Sequence, residues 1–152
     1  MKIRDLMTRD VVTCTTETDL ARVAQLMWDA DCGTVPVVDP SGHVQGMVTD
    51  RDVCIGVATR QRPAGHIAVR EVMSSPAHGC APDDDVTTAL ETMRSHAVRR
   101  LPVIDNDGHI RGIVSMNDIL LHAGGNGLSQ PAILDTFKAI CAHRHGAPLA
   151  TA

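Results

Sequence analysis

The sequence predicts an α/β (α+β) chain that contains two copies of one β-α-β-β-α unit and a C-terminal helix. The first observation is an internal repeat: residues 3–58 align without a gap on residues 69–124, and thirteen of the aligned pairs are identical. The second is that strand-like and helix-like hydrophobic periodicity alternate in the same order in both copies. Two copies of one unit suggest two copies of one site, or a site between them.

Each unit opens with a short apolar and charged segment, at 3–7 and 69–73, and continues with a brief strand, at 11–14 and 78–80. An amphipathic helix follows, and acidic residues crowd its start, where they complement the helix dipole. The apolar face of this helix consists of four residues in each copy: Leu20, Val23, Ala24 and Met27, then Val86, Ala89, Leu90 and Met93.

A β-hairpin and a second helix complete each unit. The hairpin strands read TVPVVD and VQGMVT in the first copy, and RLPVID and IRGIVS in the second. Gly42 and Gly108 lie in the turns, where a tight hairpin requires backbone freedom. An apolar-periodic helix starts directly after each second hairpin strand.

These patterns divide the chain into repeat 1 at 1–58, a linker at 59–68, repeat 2 at 69–123 and a tail at 124–152. Pro63 and Gly65 interrupt the linker. After a Gly-rich break at 124–128, a last helix is predicted with Ser129 as its cap and Pro131 in its first turn. Its apolar stripe contains Ile133, Leu134, Phe137, Ile140 and Cys141.

The composition favours a globular cytoplasmic protein with an aliphatic core. Hydrophobic residues make up 43% of the 152 residues, with one Trp, one Phe and no Tyr. The net charge of −4 and the scarcity of aromatic residues argue against nucleic-acid binding. We expect no membrane span and no signal peptide, because no apolar stretch is long enough and charges interrupt the N-terminus. Five cysteines without disulfide spacing fit a reducing compartment.

The motif G-h-V-[ST]-x-x-D, where h is apolar, occurs in both copies at the start of the last helix. It places the hydroxyls of Thr49 and Ser115 three residues before the carboxylates of Asp52 and Asp118. A carboxylate that accepts two hydrogen bonds matches a ribose diol, and the free N–H groups of a helix start suit phosphate. The alternative is that these side chains only cap their helices.

The duplicated unit resembles the CBS domain pair, or Bateman module. The resemblance covers residues 1–123 and rests on the D-L-M-T and E-V-M-S openings, the x-P-V-h-D strands and the G-h-V-[ST]-x-x-D motif. It implies two repeats related by pseudo-twofold symmetry that bind an adenosine-containing ligand between them. It also implies that Asp52 and Asp118 bind ribose, and that the chain forms a homodimer.

Other residues in and near the motifs are candidates for the same ligand. Arg99 and Arg100 resemble the phosphate contacts of AMP-binding family members, and repeat 1 has Gly33 and Thr34 at those positions. Within the motifs, Arg51 is a second candidate for phosphate, and Asn117 occupies the equivalent position of repeat 2. Apolar strand residues such as Val37 and Val103 either pack on adenine or belong to the core.

We therefore expect a non-catalytic regulatory module that binds AMP, ADP or ATP, or a dinucleotide such as NAD, and signals to an effector protein. No nucleophile–base set or phosphate-binding loop is visible. The alternative is a redox- or metal-responsive protein that uses Cys14, Cys80, Cys141 and the tail histidines. In that case a folded-back tail helix would bring Cys141 to Cys14. His43 and His109 are interpreted as exposed turn residues.

Overall fold

The computed structural model describes residues 1–122 and 130–142. Repeat 1 contains α1 (Leu20–Asp29), β1 (Thr34–Val38), β2 (Val44–Thr49) and α2 (Asp50–Arg60). Repeat 2 contains α3 (Val86–His96), β3 (Arg100–Ile104), β4 (Ile110–Ser115) and α4 (Met116–Leu121), and α5 (Gln130–Cys141) follows. Short 3₁₀ turns lie at Ile3–Asp5, Ala64–His66 and Val69–Glu71. This confirms the predicted α+β class. None of the described helices is long and apolar enough to cross a bilayer.

The two hairpins are superimposable in register, as the internal repeat predicts. Thr34 is opposite Thr49 in the first antiparallel pair, and Arg100 is opposite Ser115 in the second. Both pairs shift register at the same place, between Val37 and Val38 and between Val103 and Ile104. The register sets the motif hydroxyl of each repeat beside the first residue of the neighbouring strand.

The brief first strand of each unit is shorter than the sequence predicts. It is reduced to a single parallel bridge, Cys14 to Val37 in repeat 1 and Cys80 to Val103 in repeat 2. Two backbone hydrogen bonds hold each bridge, for example from Cys14 N to Pro36 O at 3.1 Å and from Val38 N to Cys14 O at 2.8 Å. The segment before the bridge is therefore free to leave its own repeat.

The N-terminal segments of the two repeats are exchanged. Thr8, from the start of repeat 1, pairs with Ile113 on β4 of repeat 2, and Ser74, from the start of repeat 2, pairs with Met47 on β2 of repeat 1. All four backbone hydrogen bonds of these two bridges are between 2.9 and 3.0 Å long. The exchange relates the two repeats by pseudo-twofold symmetry.

The exchange also completes the two hydrophobic cores. Ile3 and Leu6 are buried in the core of repeat 2, among residues of α3, β3 and β4. Ile67 and Val69 are buried in the core of repeat 1, beside α1 and β1. Ile67 is fully buried although it lies in the segment predicted as a linker, and α2 extends to Arg60 at the start of that segment.

The amphipathic helices α1 and α3 bury nearly all of their predicted faces. Leu20, Val23 and Met27 of α1 are buried, and so are all four predicted residues of α3. Ala24 is the exception, since it is exposed. Asp19 caps α1, because its carboxylate accepts a hydrogen bond from the Arg22 N–H at 2.9 Å.

The tail helix α5 packs on α3 through Ile133 and Thr136, which are both buried. Leu134 and Phe137, from the predicted apolar stripe, remain 53% and 40% exposed. The stripe is therefore only partly covered by the described residues of the module. The predicted cap Ser129 lies outside the described residues.

Gly112 is required by the exchange, because a Cβ at this position would lie 2.7 Å from the Thr8 carbonyl oxygen. We expect Gly112→Ala to lower the free energy of unfolding by about 1–3 kcal/mol, as overpacking does. Gly65→Ala is the matched control, since a Cβ there would meet no atom within 4 Å. Urea denaturation of the two variants measures the difference in their free energies of unfolding. Equal values would contradict the claim that the Thr8 backbone packs closely against Gly112.

Candidate functional site

Both predicted motifs form capping boxes at the start of a helix. The Asp118 Oδ2 atom accepts hydrogen bonds from the Ser115 N–H and the Ser115 hydroxyl, each at 2.7 Å. Thr49 donates in the same way to Asp52 Oδ2, at 2.9 and 2.7 Å. The capping alternative is thus realised in both repeats, but it uses only one oxygen of each carboxylate.

The second carboxylate oxygen of Asp118 remains available for a ligand. Asp118 Oδ1 has no hydrogen-bonding partner among the described residues, and the side chain is half-buried. A carboxylate oxygen has two lone pairs, so it can accept both hydroxyls of a ribose while Oδ2 caps the helix. Capping therefore fixes the orientation of the acceptor and does not compete with binding.

Ser115 and Asp118 line a cavity of about 280 Å³ between the repeats. The opposite wall consists of Thr8, Asp10, Val11 and Val12, from the exchanged segment of repeat 1. The remaining lining residues come from the end of α1, the starts of β1 and β3, and β4: Ala30, Asp31, Cys32, Gly33, Thr34, Arg100 and Ile113. We call this space the cleft cavity.

Arg100 contributes the positive charge of the cleft cavity. Its side chain is exposed and makes no ion pair with any described residue. The Arg100 Nη2 atom lies 3.7 Å from the position that a Cβ of Gly33 would take. An unpaired guanidinium at the border of a cavity suits a phosphate group.

The equivalent cleft of repeat 1 keeps only the aspartate, since twelve of the thirteen positions that line the cleft cavity carry a different residue at the repeat offset. Two of these differences introduce histidines. Val12 and Ala30 of the cleft cavity correspond, at the repeat offset, to His78 and His96. The rings of these two histidines stack with centroids 3.5 Å apart and planes inclined by 11°. Thr49 and Asp52 are half-buried but do not line the cleft cavity. The structure therefore distinguishes the two motifs that the sequence presents as equivalent.

The other predicted ligand residues lie elsewhere. Arg51, Arg99 and Asn117 are exposed and do not line the cleft cavity. Val37 and Val103 are fully buried in the two cores, which agrees with the core alternative of the two that the sequence leaves open. The pleat of β1 and β3 directs them inward. The apolar wall comes instead from Val11, Val12 and Ile113, which the exchange brings together and which the sequence pattern did not single out.

The thiols do not form the site that the redox or metal alternative requires. Cys14 and Cys80 are buried in different cores, and burial raises their thiol pKa values to about 11 and about 12. Cys141 is exposed on α5, which packs on α3 of repeat 2, so the structure does not bring it to Cys14. The tail histidines, His143 and His145, lie outside the described residues.

His43 and His109 are not independent turn residues, as the sequence suggested. Their rings stack with centroids 4.4 Å apart, where the two hairpin turns meet. Asp39 and Asp105 accept hydrogen bonds from the backbone N–H groups of these histidines, at 3.0 and 2.9 Å. These bonds are the main reason that the pKa of each carboxyl is lowered, to about 2 for Asp105. Identical G-H pairs at the repeat offset are the signal that could have revealed this contact.

Asp105, Asp107 and His109 are close enough to share a metal ion. Arg111, however, already donates to Asp105 Oδ2 from Nε at 2.7 Å. This ion pair neutralises the carboxylate that a cation would need.

These features define a duplicated ligand-binding module with its cavity between two repeats. The chain belongs to the CBS domain family, whose model matches residues 3–58 and again 69–125. CBS domain pairs are regulatory modules.

Among its relatives, YlbB of Bacillus subtilis is 35% identical over 136 residues, 88% of this chain and 90% of YlbB. Hypoxic response protein 1 of Mycobacterium tuberculosis is 35% identical over 144 residues, 91% of this chain and 92% of that protein. MK0525 of Methanopyrus kandleri is 30% identical over 120 residues, and the chain spans only 61% of its length.

Two solved structures share the fold. Hypoxic response protein I, solved with two coordinated zinc ions, has a TM-score of 0.73 and 28% identity and covers 80% of this chain and 98% of its own. The CBS domain pair of MJ0100, in complex with 5′-methylthioadenosine and S-adenosyl-L-methionine, has a TM-score of 0.75. It is 21% identical to this chain and covers 82% of it and 97% of its own length, so it supports the fold alone.

We expect four of the five thiols to react in two groups. At pH 8 an alkylating reagent modifies exposed Cys54 and Cys141 rapidly, whereas Cys14 and Cys80 react only after unfolding. For Cys14 the raised pKa alone lowers the thiolate fraction about a hundredfold, before steric protection is counted. Peptide mass spectrometry with and without denaturant measures the rates. Rapid modification of Cys14 in the native protein would restore the redox alternative.

Proposed function

We propose that this chain is a non-catalytic regulatory module that binds one adenine nucleotide in the cleft cavity. One observation carries the proposal: the same cavity is lined by Asp118, whose Oδ1 atom has no partner among the described residues, and by Arg100, which makes no ion pair with a described residue. The first matches a ribose diol and the second a phosphate. Val11, Val12 and Ile113 supply an apolar wall for the adenine ring.

Ligand binding at this position has a route to conformational signalling. The cleft cavity is lined by Thr8, Asp10, Val11 and Val12 of one repeat and by β4 and α4 of the other. A nucleotide that contacts both walls stabilises one relative placement of the repeats, since a ligand shifts a conformational equilibrium by its differential affinity for the two states. An effector protein or an assembled oligomer in the cytoplasm then responds to that placement.

We propose one nucleotide per chain, not two. The stacked rings of His78 and His96 occupy the positions that Val12 and Ala30 hold in the cleft cavity. A nucleotide at the motif of repeat 1 must separate these rings before its base can enter. In repeat 2, moreover, Arg100 is paired with Ser115 across the hairpin. The equivalent pair in repeat 1 is Thr34 and Thr49, so repeat 1 has no arginine at this position.

The chain is also proposed to form a homodimer. Apolar side chains remain exposed on α2, α4 and α5, and they are Ile55, Leu120, Leu121, Leu134 and Phe137. Contiguous exposed apolar patches mark association surfaces, and we propose that these side chains contribute to one.

We expect Asp118→Ala to weaken AMP binding about ten- to a hundredfold, because hydrogen bonds to a charged group contribute about 1.5–3 kcal/mol. Asp52→Ala is the matched control: it removes the same capping oxygen from the other repeat and leaves the cleft cavity intact. Isothermal titration calorimetry gives the affinity and a stoichiometry of one per chain. The parent protein should bind 2′-deoxy-AMP more weakly than AMP. The Asp118→Ala variant should bind the two ligands with equal affinity.

Equal losses in the two variants, or no binding of any adenine nucleotide at millimolar concentration, would overturn the proposal. The metal alternative is separated in the same study by a thermal-shift series. A ligand that binds only the folded state raises the melting temperature. Stabilisation by Zn²⁺ without stabilisation by nucleotides would favour the metal function over the nucleotide function.

Light scattering tests the homodimer. We expect a mass of twice 16.2 kDa at micromolar concentration. Leu121→Glu places a charge on an 83% exposed apolar side chain, so the fold should survive while dimer formation weakens. A 16.2 kDa species for the parent protein would remove the proposed dimer and leave the nucleotide site untouched.

A further inference from the structure

A second cavity adjoins the cleft cavity and lies outside the proposed adenosine site. Its volume is about 540 Å³, and it shares four lining residues with the cleft cavity: Asp31, Cys32, Gly33 and Arg100. The rest of its wall comes from α1 and α2, through Ala24, Met27, Trp28, Asp50, Val53 and Cys54. We call this space the outer cavity. A ligand in the cleft cavity can extend into it past Gly33 and Arg100.

The outer cavity has an acidic and aromatic wall beyond Arg100. Asp31 and Asp50 line it, and the Asp50 Oδ2 atom lies 3.0 Å from where a Cβ of Gly33 would be. Neither carboxylate forms an ion pair with a described residue. Trp28, the single tryptophan of the chain, lines the same cavity and is 82% exposed.

The carboxylates and the indole ring of this wall determine which charge is favoured in the part of a ligand that enters the outer cavity. A longer phosphate chain would meet two carboxylates, which repel it. A flat organic cation would be attracted by the carboxylates and by the face of the indole ring. The two cavities together thus present a ribose acceptor at Asp118 in the cleft cavity, Arg100 and Asp31 where the two cavities meet, and a cation-binding surface at Asp50 and Trp28 in the outer cavity.

We propose that the outer cavity is a subsite for a cationic ring joined through phosphates to the adenosine, the chemistry of an oxidised nicotinamide dinucleotide. The proposal rests on the proposed adenosine site and deepens it. The adenosine lies in the cleft cavity, the pyrophosphate contacts Arg100, and the pyridinium ring stacks on Trp28. Gly33 keeps the passage open, because a side chain there would fill the space between Asp50 and Arg100.

Four ligands test the subsite by calorimetry: AMP, ADP-ribose, NAD⁺ and NADH. ADP-ribose lacks the ring, and NADH carries a neutral ring in place of the cation. We expect NAD⁺ to bind about three- to tenfold more tightly than ADP-ribose or NADH, the size of a cation–π contact assisted by nearby charge. NAD⁺ should also quench the fluorescence of Trp28, which reports on the outer cavity alone, whereas AMP should not.

Trp28→Ala and Asp50→Asn should each reduce the affinity for NAD⁺ to that for ADP-ribose. Trp28→Ala should leave AMP binding unchanged, since Trp28 does not line the cleft cavity. Asp29→Asn is the matched control for charge. Asp29 is exposed on the same helix as Trp28, accepts a hydrogen bond from Gln25 and lines neither cavity. It should preserve the preference for NAD⁺.

Equal affinity for NAD⁺ and ADP-ribose, with AMP still bound, would overturn the subsite and leave the proposed function standing. Tighter binding of S-adenosyl-L-methionine than of NAD⁺ would overturn the claim that phosphates join the adenosine to the cationic group, because that ligand is a cation without phosphate. If AMP fails to bind while NAD⁺ quenches Trp28 equally in the parent and in Asp118→Ala, the adenosine site is wrong and the cation subsite stands alone.

Discussion

The rest of the structure depends on the exchange of N-terminal segments between the two repeats. Thr8 pairs with β4 and Ser74 with β2, so each hairpin receives a backbone neighbour from the other repeat. The same crossing buries Ile3 in one core and Ile67 in the other. A repeat of under sixty residues gains little stability from its own core, and the exchange adds buried apolar area to both. The cleft cavity is a consequence of the exchange, because one of its walls is the exchanged segment of repeat 1.

The helix cap and the ligand acceptor are the same carboxylate in this design. Asp118 Oδ2 accepts from the backbone and the hydroxyl of Ser115, which leaves the side chain one orientation, and Oδ1 then points away from the cap. A surface aspartate would lose rotamer entropy when it binds a ribose, whereas this one is already ordered. The cap therefore lowers the entropic cost of binding.

The sequence predicted what depends on local chemistry. Hairpin strands, turn glycines and helix starts follow from residue patterns within a few positions, and the structure has them in both repeats. It did not predict what depends on partners far along the chain. The crossing of Thr8 to Ile113 has no local signature, so the pattern predicts only strand residues at Val11 and Val12 and leaves Val37 and Val103 open between the adenine wall and the core. The contact between His43 and His109 was missed for the same reason.

The differences between the repeats say more about ligand binding than the identities do. Most identical pairs have structural roles that both repeats need, such as Gly46 and Gly112, where a Cβ would meet the crossing backbone. Even Asp52 and Asp118 are identical in a capping role that needs no ligand. The cleft positions have diverged instead. Thr34 is neutral where repeat 2 has the charged Arg100, and Val12 is aliphatic where repeat 2 has the imidazole ring of His78. A duplicated fold constrains the shared residues by folding, so its specialised site is found where the copies disagree.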